Sequence, residues 1–263
     1  MQHKVLEVKN LSVSFQTDEQ LVQAVDGISF DLYQEETVGI VGESGSGKSV
    51  TALSVMRLLS TPPARVENGE ILFRSKQGET VDLLQLTENQ LQRYRGNELA
   101  MIFQEPMTSL NPVFKCGDQV AEVFRLHRKM DAKTAKAATL ELFTKVQLPD
   151  PQCIYEAYPH QISGGQKQRV MIAMAMSCNP SILLADEPTT ALDVSVQKTI
   201  LDLMNNIKKE FQMSMLFITH DLGVIAEVAD RVLVMYQGKI VEQGRVADIF
   251  QNPQHSYTQG LLA

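Results

Sequence analysis

Two short stretches carry residue types whose spacing suits phosphate chemistry. Residues 42–49 read GESGSGKS, after an apolar run at 37–41 and before a helical pattern. Glycines at Gly42, Gly45 and Gly47, with Ser44 between them, let successive backbone N–H groups converge on phosphate oxygens, and the following helix N-terminus adds partial positive charge. In that pattern Lys48 reaches the β- and γ-phosphates and the Ser49 hydroxyl ligates Mg²⁺. Residues 181–188 read SILLADEP, an apolar strand ending in two carboxylates. Asp186 at such an end is placed to hold Mg²⁺ through water, and Glu187 to orient or deprotonate an attacking water. Taken singly, each stretch also fits a plain turn. Together on parallel strands they favour hydrolysis of a nucleoside triphosphate.

The elements that must position these groups follow from periodicity. Alternation at Val5–Lys9 and again at Ala24–Leu32 predicts strands. The loop at 42–49 is followed by a helix from Lys48 to about Leu59, stopped by Pro62-Pro63. Strands are expected at Gly69–Arg74 and Leu99–Phe103. From Gly117 to Leu148 the pattern turns helical, with Asp131 suited to cap the second of two helices. Strand–helix alternation then resumes: a strand at Ile182–Ala185, a helix at Val194–Phe211, a strand at Met215–Thr219, and a helix to about Ala229. Arg231–Met235 and Lys239–Glu242 close the series as a hairpin turned at Gln237-Gly238. Such alternation implies a mostly parallel α/β core, and residues 105–160 read as a helical insertion between two core segments, 1–104 and 161–263.

Composition narrows the class. Net charge is −7 and apolar content 44% over 263 residues, enough for a core without staples. The acidic balance disfavours a chain that coats nucleic acid. No run approaches the ~20 apolar residues that span a bilayer. Cys116, Cys153 and Cys178 are widely spaced, which suggests neither a disulfide framework nor a zinc site.

A third stretch brings in a family. Residues 162–166 read ISGGQ and open the helix KQRVMIAMAM. Ser163, Gly164 and Gly165 make a bare helix N-terminus that an anion can approach, and Ser163 with Gln166 also fits an ordinary capping box. The stretch resembles the signature motif of the ATP-binding cassette family, in which it contacts the nucleotide held by the other subunit of a dimer. Gln104 after LAMIFQ, Asp193 in TTALD and His220 in FITHD fall where that family has its Q-loop, D-loop and switch histidine. The resemblance implies that Gln104 senses Mg²⁺ and the attacking water, that Asp193 crosses the dimer interface, and that His220 touches the γ-phosphate. Phe15 aligns with the aromatic that stacks on adenine, though a core role is equally open to it.

The resemblance implies an α/β P-loop NTPase core of cassette type, with an N-terminal antiparallel β subdomain and a helical insertion subdomain. It implies ATP and Mg²⁺ as ligands and an ATPase coupled to transport. Residues 104–112 (QEPMTSLNP), 158–165 (YPHQISGG) and 252–262 (NPQHSYTQGLL) are similar to ATPases of di- and oligopeptide and nickel importers. That likeness implies two transmembrane permeases reached through a groove around Gln104–Phe114, an external solute-binding protein, and a homodimer or a heterodimer with a related ATPase. It also implies peripheral attachment at the cytoplasmic face of the inner membrane, and no nucleic acid. Import of di- or oligopeptides is expected, with nickel or another small solute, or a non-transport ATPase in DNA maintenance, as alternatives. Ser256, Gln166 and Glu35 depart from residues usual in these relatives, the last replacing a turn glycine. Some of these relatives hold an iron–sulfur cluster through cysteines just beyond Leu262; no such cysteine cluster is seen in residues 1–263, so that cofactor is not expected, and the end at Ala263 leaves open one half of a tandem ATPase.

Overall fold

The computed structural model describes residues 3–17, 20–104, 109–190 and 192–262. The chain divides into two compact units, 1–91 with 212–263, and 92–211. Residues 105–108, at the expected start of the helical insertion and inside the expected permease groove, lie outside the described residues.

In the first unit, β1 (Lys4–Gln16), β2 (Leu21–Tyr33), β4 (Ala64–Arg74) and β5 (Thr80–Asp82) form an antiparallel sheet in the order β2-β1-β4-β5. β4 begins at Ala64, ahead of the expected start at Gly69. Its N-terminal half pairs with β1, Ala64 opposite Phe15 and Val66 opposite Val13, and the register slips between Lys9 and Val13. Gly69 permits the slip: at φ 120 its missing Cβ would lie 2.7 Å from the Leu11 Cα. A bulge made by a partner strand leaves no local pattern.

β3 (Thr37–Val41) runs parallel to both β8 (Ser214–Ile218) and β9 (Arg231–Tyr236), while β10 (Lys239–Arg245) pairs antiparallel with β9. Every residue of β3 and β8 is buried, as expected for parallel strands covered on both faces. Gly39 is where α8 (Leu222–Val228) approaches, since a Cβ there would meet Ile225 Cδ1 at 2.6 Å. The remaining helices of this unit are α1 (Lys48–Val55), α2 (Glu88–Leu91), α9 (Val246–Gln251) and α10 (Ser256–Leu262).

The helix expected to run to Leu59 ends at Val55, well before the prolines. Arg57 adopts a left-handed conformation, φ 50. The Leu58 amide then reaches the Leu53 carbonyl and the Arg57 amide reaches Ser54, the two bonds of a Schellman cap. This position ordinarily takes glycine. Here the guanidinium instead donates to the carbonyls of Leu83 and Leu86, holding the turn from outside. Glu35, read as replacing a turn glycine, is also left-handed at φ 61, and its amide is held by the Ser214 hydroxyl at 2.9 Å.

In the second unit β6 (Leu99–Ile102) pairs in parallel with β7 (Ile182–Asp186). Around them lie α3 (Cys116–Arg128), α4 (Ala132–Lys145), α5 (Pro151–Glu156), α6 (Gly164–Met176) and α7 (Val194–Phe211). Asp131 caps α4 as expected, accepting from the Lys133 and Thr134 amides. α3 and α5 touch at Gly117, where a Cβ would sit 2.2 Å from the Tyr155 ring. Glu156 closes the cluster, taking the ammoniums of Lys115 at 2.7 Å and Lys136 at 2.8 Å. Those two hydrogen bonds pull its carboxyl down to about 2. None of Cys116, Cys153 and Cys178 forms a disulfide. Among the described residues no helix is long and apolar enough to cross a membrane.

Candidate active site

The phosphate-loop sequence forms a tight turn between β3 and α1. Gly42, Gly45 and Gly47 take φ 154, 80 and 103. Two of them are also sterically required. A Cβ on Gly42 would lie 2.1 Å from the Met235 carbonyl oxygen, and one on Gly47 would lie 2.5 Å from that of Ala24. Gly45 has nothing within 4 Å of such an atom, so only its backbone angle asks for glycine. Lys48 is 5% exposed, and its ammonium donates to the carbonyls of Gly42 at 2.7 Å and Glu43 at 2.8 Å. The loop thus encircles a cation whose charge is met by its own carbonyl dipoles. A buried ammonium needs such partners, and phosphate oxygens are better ones. Ser49 follows in the first turn of α1.

β7 ends in the two carboxylates. Asp186 is 4% exposed, while Glu187 turns out of the strand at φ 47. Its Oε2 accepts from Gln104 Nε2 at 3.1 Å and from Thr190 Oγ1 at 2.8 Å. Gln104 and Glu187, 83 positions apart, therefore meet as two candidate catalytic groups. Thr190 was not singled out from sequence. Its hydroxyl lies one turn beyond a carboxylate, a relation that a run of ordinary residue types does not announce.

The ISGGQ stretch forms the start of α6. Ser163 accepts from the Gln166 amide at 3.3 Å, and Gln166 Oε1 accepts from the Ser163 amide at 2.8 Å. This reciprocal capping box presents Gly164 exposed and Gly165 half-buried, keeping the helix end accessible. Asp193 performs a similar service before α7: it accepts from the Ser195 hydroxyl at 2.6 Å and the Val196 amide at 3.0 Å. The Ser195 hydroxyl, followed by the Val196 amide, holds its carboxyl below the usual range. His220 follows β8 and is exposed; next to it Asp221 caps α8 through the Gly223 and Val224 amides. Phe15 is half-buried in β1, opposite Val22 and Ala64, an arrangement that admits both core packing and a stacking face.

Residues 25–190 match the family described as ABC transporter. The chain belongs to that family. The chain is 53% identical over 99% of its length to a glutathione import ATP-binding protein, GsiA, of Pectobacterium atrosepticum. It is 52% identical over 98% to the protein of the same name from Escherichia coli. The chain spans only 42% of the length of each relative. Among solved structures the ATP-binding cassette MJ0796, in a dimeric post-hydrolysis state with ADP and Pi, matches with TM-score 0.80 at 25% identity, covering 92% of this chain and 98% of that one. CbiO1 of Clostridium perfringens, part of the ABC transporter complex cbiONQ, shares the fold with TM-score 0.75 at 23% identity, covering 95% and 91%. The α/β P-loop architecture is therefore that of an ABC cassette.

Proposed function

We propose that this domain hydrolyses ATP to drive an importer, closing head to tail as a dimer on two Mg-ATP. The observation that carries the hydrolytic part is the Glu187 carboxylate, fixed between Gln104 and Thr190 at the end of a buried strand. A carboxylate oriented by two donors is ready to align a water, with His220 touching the γ-phosphate from a second strand end. In this reading Gly42, Ser44, Gly45, Gly47 and Lys48 hold the phosphates and Phe15 stacks on adenine. Ser163, Gly164, Gly165 and Gln166 of the partner subunit's copy of this chain complete each site, and Asp193 lies at the dimer interface.

Magnesium fits the donor set. Among the described residues there is no cluster of three His, Cys, Asp or Glu, but Mg²⁺ takes few protein ligands and relies on phosphate oxygens and water. The Ser49 hydroxyl and the Asp186 carboxylate, with Gln104 nearby in role, are such hard oxygen donors. When bound, the ion neutralises charge on the β- and γ-phosphates.

Import is supported by the relatives' names and by the extent of identity to them. Glutathione is a small peptide, so it is the first cargo to test within the di- and oligopeptide class, with nickel as the alternative. Residues 105–160 act as the helical subdomain inserted in the core. Near its start Val113 and Phe114 are 71% and 56% exposed, an apolar surface suited to a permease loop. The assembly comprises two permeases and an external binding protein, with the cassettes as a homodimer or heterodimer on the cytoplasmic face of the inner membrane. The test is to co-purify the protein with its membrane partners, reconstitute them in vesicles, and measure ATP-dependent uptake of labelled glutathione, a mixed peptide pool and Ni²⁺. Peptide uptake supports the proposal, uptake of Ni²⁺ alone replaces its cargo, and recovery without any permease removes transport.

A further inference from the structure

The phosphate loop is held from behind by a residue more than two hundred positions away. The Glu43 amide donates to the phenolic oxygen of Tyr257, in α10, at 3.0 Å. The same residue's carbonyl accepts from the Lys48 ammonium at 2.8 Å and from the Ser46 amide at 3.2 Å. Residue 43 thus carries Tyr257 on its amide and the loop's own lysine on its carbonyl. A shift at one is felt at the other.

Tyr257 is itself firmly placed. Its ring lies 4.3 Å from that of Tyr236, at the end of β9, the strand whose Met235 carbonyl abuts Gly42. Its amide donates to His255 Nδ1 at 3.2 Å. The backbone leading into α10 is clamped by Glu242 of β10, whose two carboxylate oxygens accept from the Gln254 amide at 2.7 Å and the His255 amide at 3.1 Å. The β9–β10 turn meets the loop as well, through the Gly238 amide on the Ser46 carbonyl at 3.0 Å. Burial pushes the Tyr257 phenol above its ordinary value, so it stays protonated and neutral at physiological pH.

We propose that Tyr257 is a positioning residue for ATP: it fixes the Glu43 peptide so that the loop and Lys48 are set for the phosphates, and it links the segment 252–262 to nucleotide affinity. The inference rests on the assignment of Gly42–Ser49 as the phosphate site. Removing the hydroxyl leaves a loop amide without its acceptor while keeping the ring on Tyr236. A neutral hydrogen bond of this kind has a net effect of about 3- to 10-fold in an equilibrium constant.

The test measures ATP affinity, KM and kcat for the wild type, Tyr257→Phe and Lys48→Ala, with amide hydrogen exchange across residues 42–46. Tyr257→Phe is expected to weaken ATP binding about 3- to 10-fold and raise KM alike, to change kcat at saturating ATP less than twofold, and to speed exchange at the Glu43 amide. Glu242→Gln, which loosens the clamp without touching the loop, is expected to move affinity in the same direction. Unchanged affinity in Tyr257→Phe beside a large loss in Lys48→Ala overturns the proposal and leaves the phosphate site standing. Unchanged affinity in Lys48→Ala overturns the site and the proposal with it. If Tyr257→Phe fails to fold, exchange in the wild type decides: a protected Glu43 amide supports the link and an unprotected one refutes it.

Discussion

Gly47→Ala tests whether the phosphate loop is held by sterics as well as by sequence habit. Gly47 sits at φ 103, immediately before α1. Forcing an L-residue to a positive φ costs roughly 1–2 kcal/mol. The new Cβ would also stand 2.5 Å from the Ala24 carbonyl oxygen, with Met235 Cε at 3.2 Å, and overpacking of this kind adds about 1–3 kcal/mol. Backbone oxygen of a paired strand gives way less readily than a side-chain tip. If the loop keeps its shape, the combined cost of about 2–5 kcal/mol lowers the melting temperature by roughly 5–15 °C for a domain of this size. If instead the loop yields, its amides no longer converge and ATP affinity falls at least about tenfold for each 1.4 kcal/mol lost. Gly45→Ala is the control, because it has the positive φ but open space around the new atom. It carries only the backbone cost and should lower the melting temperature by no more than about 5 °C. Calorimetry and equilibrium ATP binding on both variants read the two effects. A Gly47→Ala protein that melts and binds ATP like Gly45→Ala would refute the steric argument.

Glu187→Gln should keep ATP binding and cut turnover by about 10²–10⁴, the scale of general-base loss; steady-state ATPase rates near wild type would remove its role. Ser163→Ala loses the cap on α6 and should lower the melting temperature by a few degrees, from about 1 kcal/mol of capping. If Ser163 also serves the nucleotide of a partner subunit, ATPase activity at a temperature well below melting should fall by about tenfold or more, as for a bond to a charged group; a stability loss with full activity would leave it a cap alone. The Glu156 carboxyl is held down at about 2 against an ordinary value of 4.5, so its contribution to stability is present above 4.5 and is lost as pH falls from there toward 2. Glu156→Gln should flatten that part of the acid limb of a melting-temperature profile, modestly because the group is solvent-exposed; an unaltered acid limb would show that the Lys115 and Lys136 bonds add nothing.

Much of the candidate site was legible because its parts are local. GESGSGKS and SILLADEP are contiguous, and the physics of a phosphate loop and an acidic strand end acts within a few residues. The capping box at Ser163 and Gln166 and the cap at Asp131 could be read for the same reason. What escaped the sequence depends on partners far along the chain. The first half of β4 is strand because β1 supplies its hydrogen bonds and Gly69 absorbs the slip. α1 stops early because Arg57 finds carbonyls at Leu83 and Leu86. Tyr257 gains meaning only once α10 lies against the loop. Such contacts leave no periodicity to detect.

The Arg57 turn has a consequence for how this position can drift. Glycine there would relieve the left-handed backbone and forfeit the tether, whereas arginine keeps the tether and bears the backbone cost, so the two should be nearly interchangeable in stability. Alanine has neither advantage, bearing the roughly 1–2 kcal/mol of an L-residue in that conformation with no guanidinium to hold Leu83 and Leu86. The order of tolerance at residue 57 is therefore not one of size or charge. A small residue and a large cationic one share the top of it, and the residue between them in size falls below both.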